Sequence, residues 1–446
     1  IDRAQLPNCA ARVAETIRRR FPDLKVPPHS RWRHFDAGGV PRAAELAQAL
    51  AGRDRIEVAR AHFDLILPAV LLDAGAGPQW RYDEAQALSR EALPEHRHGN
   101  DDLLAMLDAA SRKPKAGGQA LAAALDAVAA DDSQPAAPSP APSPAAPPSS
   151  AATDPARVYQ RSEGLAVAVL RAFLGGAFSA DRGDALRCDA ATLKQLDATA
   201  LRALMQAGPA NPLAGLEERA AMLQRLGAVL AAEAQRSALP PRPALFFDRL
   251  TAGGTRTSVS ATELLRDLVT TLAPVWKEGS LVQGLPAGDV WPHRWAGAAL
   301  ASDARDTTTP GFVPLHKLAQ WLTYSLIEPL QWAGIAVTDL DGLTALAEYR
   351  NGGLLLDMGV IVPRAPVPPG RTLKPADEWV IEWRALTVVL LDELADLVRA
   401  ELGLTAAELP LASVLEGGTW AAGRELANER RGGAPPVAVA SAGTLF

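Results

Sequence analysis

The sequence predicts a mainly α protein, on three observations. Apolar residues recur at helical spacing in most segments, capping residues stand where those patterns begin, and alternating strand patterns are almost absent. In chain order, Leu65, Leu67, Val70 and Leu71 lie in an apolar helix that closes at Asp73, ahead of Ala74-Gly75-Ala76-Gly77. Ser162-Glu163 opens a helix through Leu165, Val169 and Phe173 that ends near Gly175-Gly176. Residues 213–235 form an Ala/Leu-rich amphipathic helix, and Ser260 with Glu263 makes a capping-box pattern ahead of LLRDLVTTLAPVW. A helix starting at Pro314 buries Leu315, Leu318, Leu322 and Leu326 and shows His316, Gln320 and Thr323 as a polar stripe. Leu343, Leu346 and Ala347 fall at i, i+3, i+4, and this helix is expected to end at Asn351-Gly352-Gly353. A second short helix restarts at Leu354 and carries Asp357 to Gly359. Residues 384–402 read as a further helix, and 361–363 and 379–381 are the only strand candidates. The expected architecture is a compact multi-helix domain with helix-turn-helix corners.

Composition removes several function classes. Lys+Arg 45 against Asp+Glu 51 gives a net charge of −6 with no basic stripe, so nucleic acid binding lacks an electrostatic footing. Two cysteines, Cys9 and Cys188, support neither a disulfide framework nor a Cys-based metal site. No apolar run approaches membrane-spanning length and no charged-then-apolar leader is seen, so a soluble cytoplasmic protein is expected. No P-loop, dinucleotide fingerprint, G-x-S-x-G or kinase motif is present.

Residues 343–360, LTALAEYRNGGLLLDMGV, carry the clearest functional signal, because Glu348, Tyr349 and Arg350 cluster at the expected helix corner. Together with SRWRHFDAGGV at 30–40, LLDAGAGPQWRY at 71–82, RSEGLAVAVLRAF at 161–173 and PLHKLAQWLTYSLIEPLQWAG at 314–334, this segment resembles the uracil catabolism protein family. That family is fungal and bacterial and is encoded beside a cyclohydrolase-like ring-opening enzyme. Ala347-Glu348-Tyr349-Arg350 is also similar to the A-D-Y-R start of a corner in the queuosine salvage nucleosidases, with Glu for Asp. The two resemblances imply a fold similar to the helical fold of DNA glycosylases, and an N-glycoside substrate. Against the family pattern, a long insert separates Tyr82 from Arg161. The expected organisation is therefore one helical catalytic domain from 1–82 and 161–428, an insert at 83–160, and a loose tail at 429–446. Within the insert, the Pro/Ala/Ser tract at 133–156 has the composition of a solvated linker.

Glu348 is the first catalytic candidate. N-glycoside cleavage builds positive charge on the sugar carbon, and a carboxylate stabilises that charge and positions water. The bland alternative is a surface pair with Arg350, worth almost nothing. Asp73 is the second candidate. An acid in the last turn of a helix opposes the macrodipole at a cost of ~0.3–1 kcal/mol, and the L-L-D-x-G pattern repeats at 355–359 with Asp357. Arg33 and His34, in a loop closed by Gly38-Gly39, suit a phosphate or ribose hydroxyls. Trp80, Arg81, Asp289, Trp291, His293, His316, Gln320, Tyr349, Arg350 and Asp357 complete the expected substrate-binding set. Trp80 or Trp291 is expected on the sugar or leaving group, and Arg33, Arg81 or Arg350 on a phosphate. Asp289, His293 and His316 match no common metal-ligand spacing, so metal-independent chemistry without a cofactor is expected.

The family context implies a ring-opened uracil nucleoside or nucleotide as substrate, that is, ribosylurea or its 5′-phosphate. The expected reaction is hydrolysis to urea and ribose or ribose phosphate, in association with other enzymes of the pathway. Two alternatives stay open: a non-catalytic partner that binds a pathway enzyme or intermediate, and an amidohydrolase acting on the ureido group.

Overall fold

A computed structural model of the chain describes residues 1–91, 157–181, 183–277, 279–296, 311–365, 367, 370–440 and 443–444. It is mainly α, as the helical periodicities predict. Of the insert stretch expected to be helical, 84–130, residues 84–91 are helical, and the rest of it, with the tract at 133–156, lies outside the described residues.

The N-terminal part contains α1 (Leu6–Arg20), α2 (Trp32–Phe35), α3 (Arg42–Ala49), α4 (Arg55–Leu71) and α5 (Glu84–Glu91). The middle contains α6 (Arg161–Leu174), α7 (Ala190–Gln195), α8 (Ala198–Leu204), α9 (Leu216–Ser237), α10 (Ala244–Thr251) and α11 (Ala261–Leu272). The C-terminal part contains α12 (Lys317–Trp332), α13 (Tyr349–Asp357) and α14 (Glu378–Leu402), a π-helical segment at Val414–Thr419, and α15 (Trp420–Arg431).

The middle of the core is α4. Asp54 caps it, accepting from the N–H groups of Ile56 and Glu57, and every residue from Ala61 to Leu71 is buried. A helix apolar on all sides must be surrounded, and α4 packs against α6, α10 and α12. On α6, Gly164 makes room for Trp80, since an added Cβ would lie 2.8 Å from that ring. Toward the C-terminus α13 packs against both α14 and α15, while α1 packs along α14. Among the described residues, strands are short and pair in twos, for example Arg81–Asp83 antiparallel with Val158–Gln160.

Three local expectations are corrected. Residues 343–348 are not helical, and α13 instead begins after Glu348 and runs straight through Asn351-Gly352-Gly353. Those glycines serve close packing rather than termination. The Gly352 carbonyl accepts the Trp383 indole N–H at 3.0 Å, and a Cβ on Gly352 would lie 2.7 Å from Thr387 Oγ1. Residues 379–381 belong to α14, and 361–363 are not a strand. The described part of the expected loose tail is built in: Ala438–Val439 pairs in parallel with Thr372–Leu373, and Thr444 is buried.

Candidate active site

Three helices point their N-termini at one cleft of about 560 Å³. Arg161, Ser162 and Glu163 come from the first turn of α6. Lys317 is the first residue of α12, and Tyr349 and Arg350 are the first two of α13, just after Glu348. Asp73 enters from the end of α4, Trp420 and Arg424 from α15, and Gly432–Gly433 with Val437 closes one side. The volume suits a small polar metabolite. The converging positive ends of the dipoles favour ionised carboxylates and anionic ligand groups there.

The cleft brings together the two carboxylates singled out in the sequence. Glu348 is 7% exposed and is the N-cap of α13, accepting the N–H groups of Arg350 at 2.7 Å and Asn351 at 2.6 Å. It is therefore not a surface partner of Arg350. Gln320 supports the approach to it, since its Oε1 accepts the Thr344 N–H at 3.3 Å. Asp73 sits two residues past α4, so its cost at a helix end is offset by direct partners. Arg31 Nη1 lies 3.1 Å from its carboxylate, and Ser162 Oγ donates to it at 2.6 Å. Arg31 is fully buried, and burial draws its pKa down despite the pull of Asp73.

His34 also reaches the cleft. Burial and the charge of Arg31 pull its pKa down to about 4, so the imidazole is neutral near pH 7. Beside it, His29 Nδ1 lies 2.6 Å from Glu416 Oε2, and the His29 ring stacks on Trp321 at 5.8 Å. Burial pushes Glu416 up, but the His29 hydrogen bond and nearby positive groups outweigh it and hold the carboxyl below its usual range. Glu416 lies in the π-helical segment, a conformation often found at functional sites. Arg350 stacks its guanidinium on Tyr349 at 5.0 Å and donates to the Gly433 carbonyl at 3.1 Å. Burial raises the Tyr349 phenol, keeping it protonated.

The remaining predicted residues do not line this cleft. Arg33 pairs with Glu328. Trp80 is fully buried, with its indole N–H donating to the Met205 carbonyl at 2.9 Å, and is a core residue. Arg81 bonds the carbonyls of Pro78 and Trp80, both at 2.9 Å. Asp289 is held by Arg384 at 2.7 and 2.9 Å and accepts the Trp291 indole N–H at 2.7 Å. His293 accepts the Trp295 N–H at 3.2 Å. His316 has a left-handed backbone, φ 43°, immediately before α12. Asp357 pairs with Arg431 at 2.6 Å and ties α13 to α15. Among the described residues, no three His, Cys, Asp or Glu side chains are grouped to hold a metal ion.

Sequence reasoning missed His29, Arg31, Arg161, Ser162, Glu163, Lys317, Trp321, Trp420 and Arg424. For Lys317 a signal existed: in a chain where Arg greatly outnumbers Lys, a lysine sits one residue before Leu318 on an otherwise apolar helix. For Trp420 and Arg424 there was none, because their segment is an ordinary helical pattern.

Comparison with known proteins gives one family. The family described as "Protein of unknown function (DUF1688)" matches residues 1–94 and 149–446. "Protein urg3" of Schizosaccharomyces pombe is 32% identical over 454 residues, covering 100% of this chain and 91% of that protein. "Uracil catabolism protein 4" of Lachancea kluyveri is 30% identical over 450 residues, covering 94% of this chain and 85% of that protein. With a match over both parts of the chain and full-length relatives at this identity, the chain belongs to the DUF1688 family, the family of the uracil catabolism proteins that its motifs resemble.

Proposed function

We propose that this protein takes part in uracil breakdown as an N-glycoside hydrolase, cleaving ribosylurea or its 5′-phosphate to urea and ribose or ribose phosphate. The observation that carries the reading is the pairing of Asp73 and Glu348 around one cleft of metabolite size. Glu348 stabilises positive charge at the anomeric carbon as the bond to nitrogen breaks. Asp73, with Ser162 as its proton relay, manages the water that completes hydrolysis. Tyr349 and Arg350 orient the sugar, and Arg161 or Arg350 faces a 5′-phosphate. The relatives' names support the pathway; the reaction rests on the chemistry of the cleft. Proton NMR of ribosylurea incubated with the protein tests it. The N-glycosidic anomeric signal is expected to give way to those of free ribose, and its persistence for both substrates contradicts the reading.

A second reading is favoured by one observation. Both carboxylates already hold hydrogen-bond donors, Glu348 two backbone N–H groups and Asp73 a hydroxyl and a guanidinium. A protein that only binds a labile intermediate would show such pre-satisfied acids. Tight binding of ribosylurea without turnover is the result that selects it.

A further inference from the structure

Lys317 is the unusual group of the cleft. It is 8% exposed, lines the cavity, and its Nζ makes no hydrogen bond or ion pair among the described residues. Its Nζ lies over the Trp321 ring, 5.6 Å from the centroid. Lysines on a surface send the ammonium into water, and buried ones pair it. Lys317 is buried along its stem and presents an unpaired amine to the cleft. Its backbone is fixed instead: the Lys317 N–H donates to Asp289 Oδ2 at 3.1 Å, and Arg384 and Trp291 lock that carboxylate. The preceding left-handed His316 sets the chain's entry into α12. Asp289, Trp291 and His316, which have no place in the cleft lining, thus hold the backbone that carries this amine.

We propose that Lys317 is a covalent nucleophile that captures the anomeric carbon of a pentose as an iminium. Its identity as a sugar carbon rests on the N-glycoside reading, while the amine chemistry does not. Burial lowers the amine's pKa, as does the charge of Arg384, against the opposite pull of Asp73, Glu348 and Asp289. The N-terminus of α12 acts in the same direction as burial. A neutral amine is the nucleophilic form.

The step balances without a further reagent. The Nζ lone pair bonds to the anomeric carbon as the bond to the ureido nitrogen breaks. That bond's electron pair leaves with the nitrogen, which takes up the proton that Nζ loses, giving urea. The Nζ lone pair then opens the sugar ring, forming a C=N bond while the ring oxygen is protonated. Water adds to the iminium carbon and the C–N bond breaks; the ring oxygen keeps its proton, drawn from solvent, as a hydroxyl, and the added water releases one proton back to solvent. The products are the aldehyde sugar and the free amine.

The test is reductive trapping with the full-length protein. Ribose or ribose 5-phosphate is added with sodium cyanoborohydride, and peptides are mapped by mass spectrometry. A reduced pentose adduct is expected at Lys317 well ahead of the exposed Lys25. Labelling of Lys317 no greater than that of Lys25 overturns the proposal, and this readout needs no variant to fold. Lys317→Arg keeps the charge but not the nucleophile, so a folded variant with wild-type urea release also overturns it. The two readings fail separately. Urea release without an adduct removes the nucleophile and leaves the hydrolase. An adduct from free sugar, with no urea from ribosylurea, retains the nucleophile and removes the hydrolase.

Discussion

Glu348 accepts the backbone N–H of Asn351 at 2.6 Å, so the acid that faces the cleft is also the cap of α13. On the proposed function, one side chain both caps a helix and serves the reaction. Glu348→Gln removes the charge and keeps one of the two cap acceptors; turnover is expected to fall at least ~10²-fold, with a stability loss of ~0.5–1.5 kcal/mol for the lost cap bond. Glu348→Ala also loses the cap, with an expected further loss of ~0.5–2 kcal/mol in denaturant unfolding. Near-normal turnover in the Gln variant contradicts the assignment.

Asp73→Asn is expected to act differently. It leaves the fully buried Arg31 guanidinium without its carboxylate. Removing one member of a buried pair costs ~3–5 kcal/mol, so this variant is expected to lose stability as well as turnover. Denaturant titration of the two variants side by side makes the comparison. Equal stability of Asp73→Asn and wild type would show that Arg31 finds another partner.

Acid is expected to weaken the fold through buried histidines. Burial holds His34 and His62 down to about 4, against 6.5 for the free side chain. As pH falls from about 6.5 toward about 4, the unfolded chain binds protons that the native protein does not, so stability declines across that window. Above it, neither group contributes a pH dependence. Urea midpoints at pH 7 and pH 5 check this, and His62→Gln, away from the cleft, is expected to reduce the drop.

Gly352→Ala tests the packing that replaced the expected helix break. The added methyl meets Thr387 Oγ1 and Trp383 Nε1, both at 2.7 Å. Overpacking of this kind costs ~1–3 kcal/mol. A variant as stable as wild type in thermal unfolding would mean that α13 and α14 separate without penalty.

The sequence made the helical framework legible because periodicity and caps are local. Ser260 caps its helix through the Glu263 N–H at 3.4 Å, and the helix of 161–174 closes at Gly175 as its pattern indicates. Asn351-Gly352-Gly353 misled because glycine marks both helix ends and close contacts, and only the Trp383 partner tells them apart. Asp73, Glu348, His34, Tyr349 and Arg350 were legible as motif residues in one cleft. Asp289, His316 and Trp291, expected to bind substrate, instead frame the backbone of Lys317. Such second-layer roles depend on contacts between segments far apart in the chain, which spacing does not reveal.

The central claim, cleavage of a ribosyl–urea bond in the Asp73–Glu348 cleft, is tested most directly by free urea. Purified protein is incubated with ribosylurea and, separately, with its 5′-phosphate, and urea is assayed over time beside the Glu348→Gln variant. The account predicts catalytic urea release from at least one substrate by the wild type and at least ~10²-fold less by the variant. No urea from either substrate, or equal release by both proteins, would contradict it.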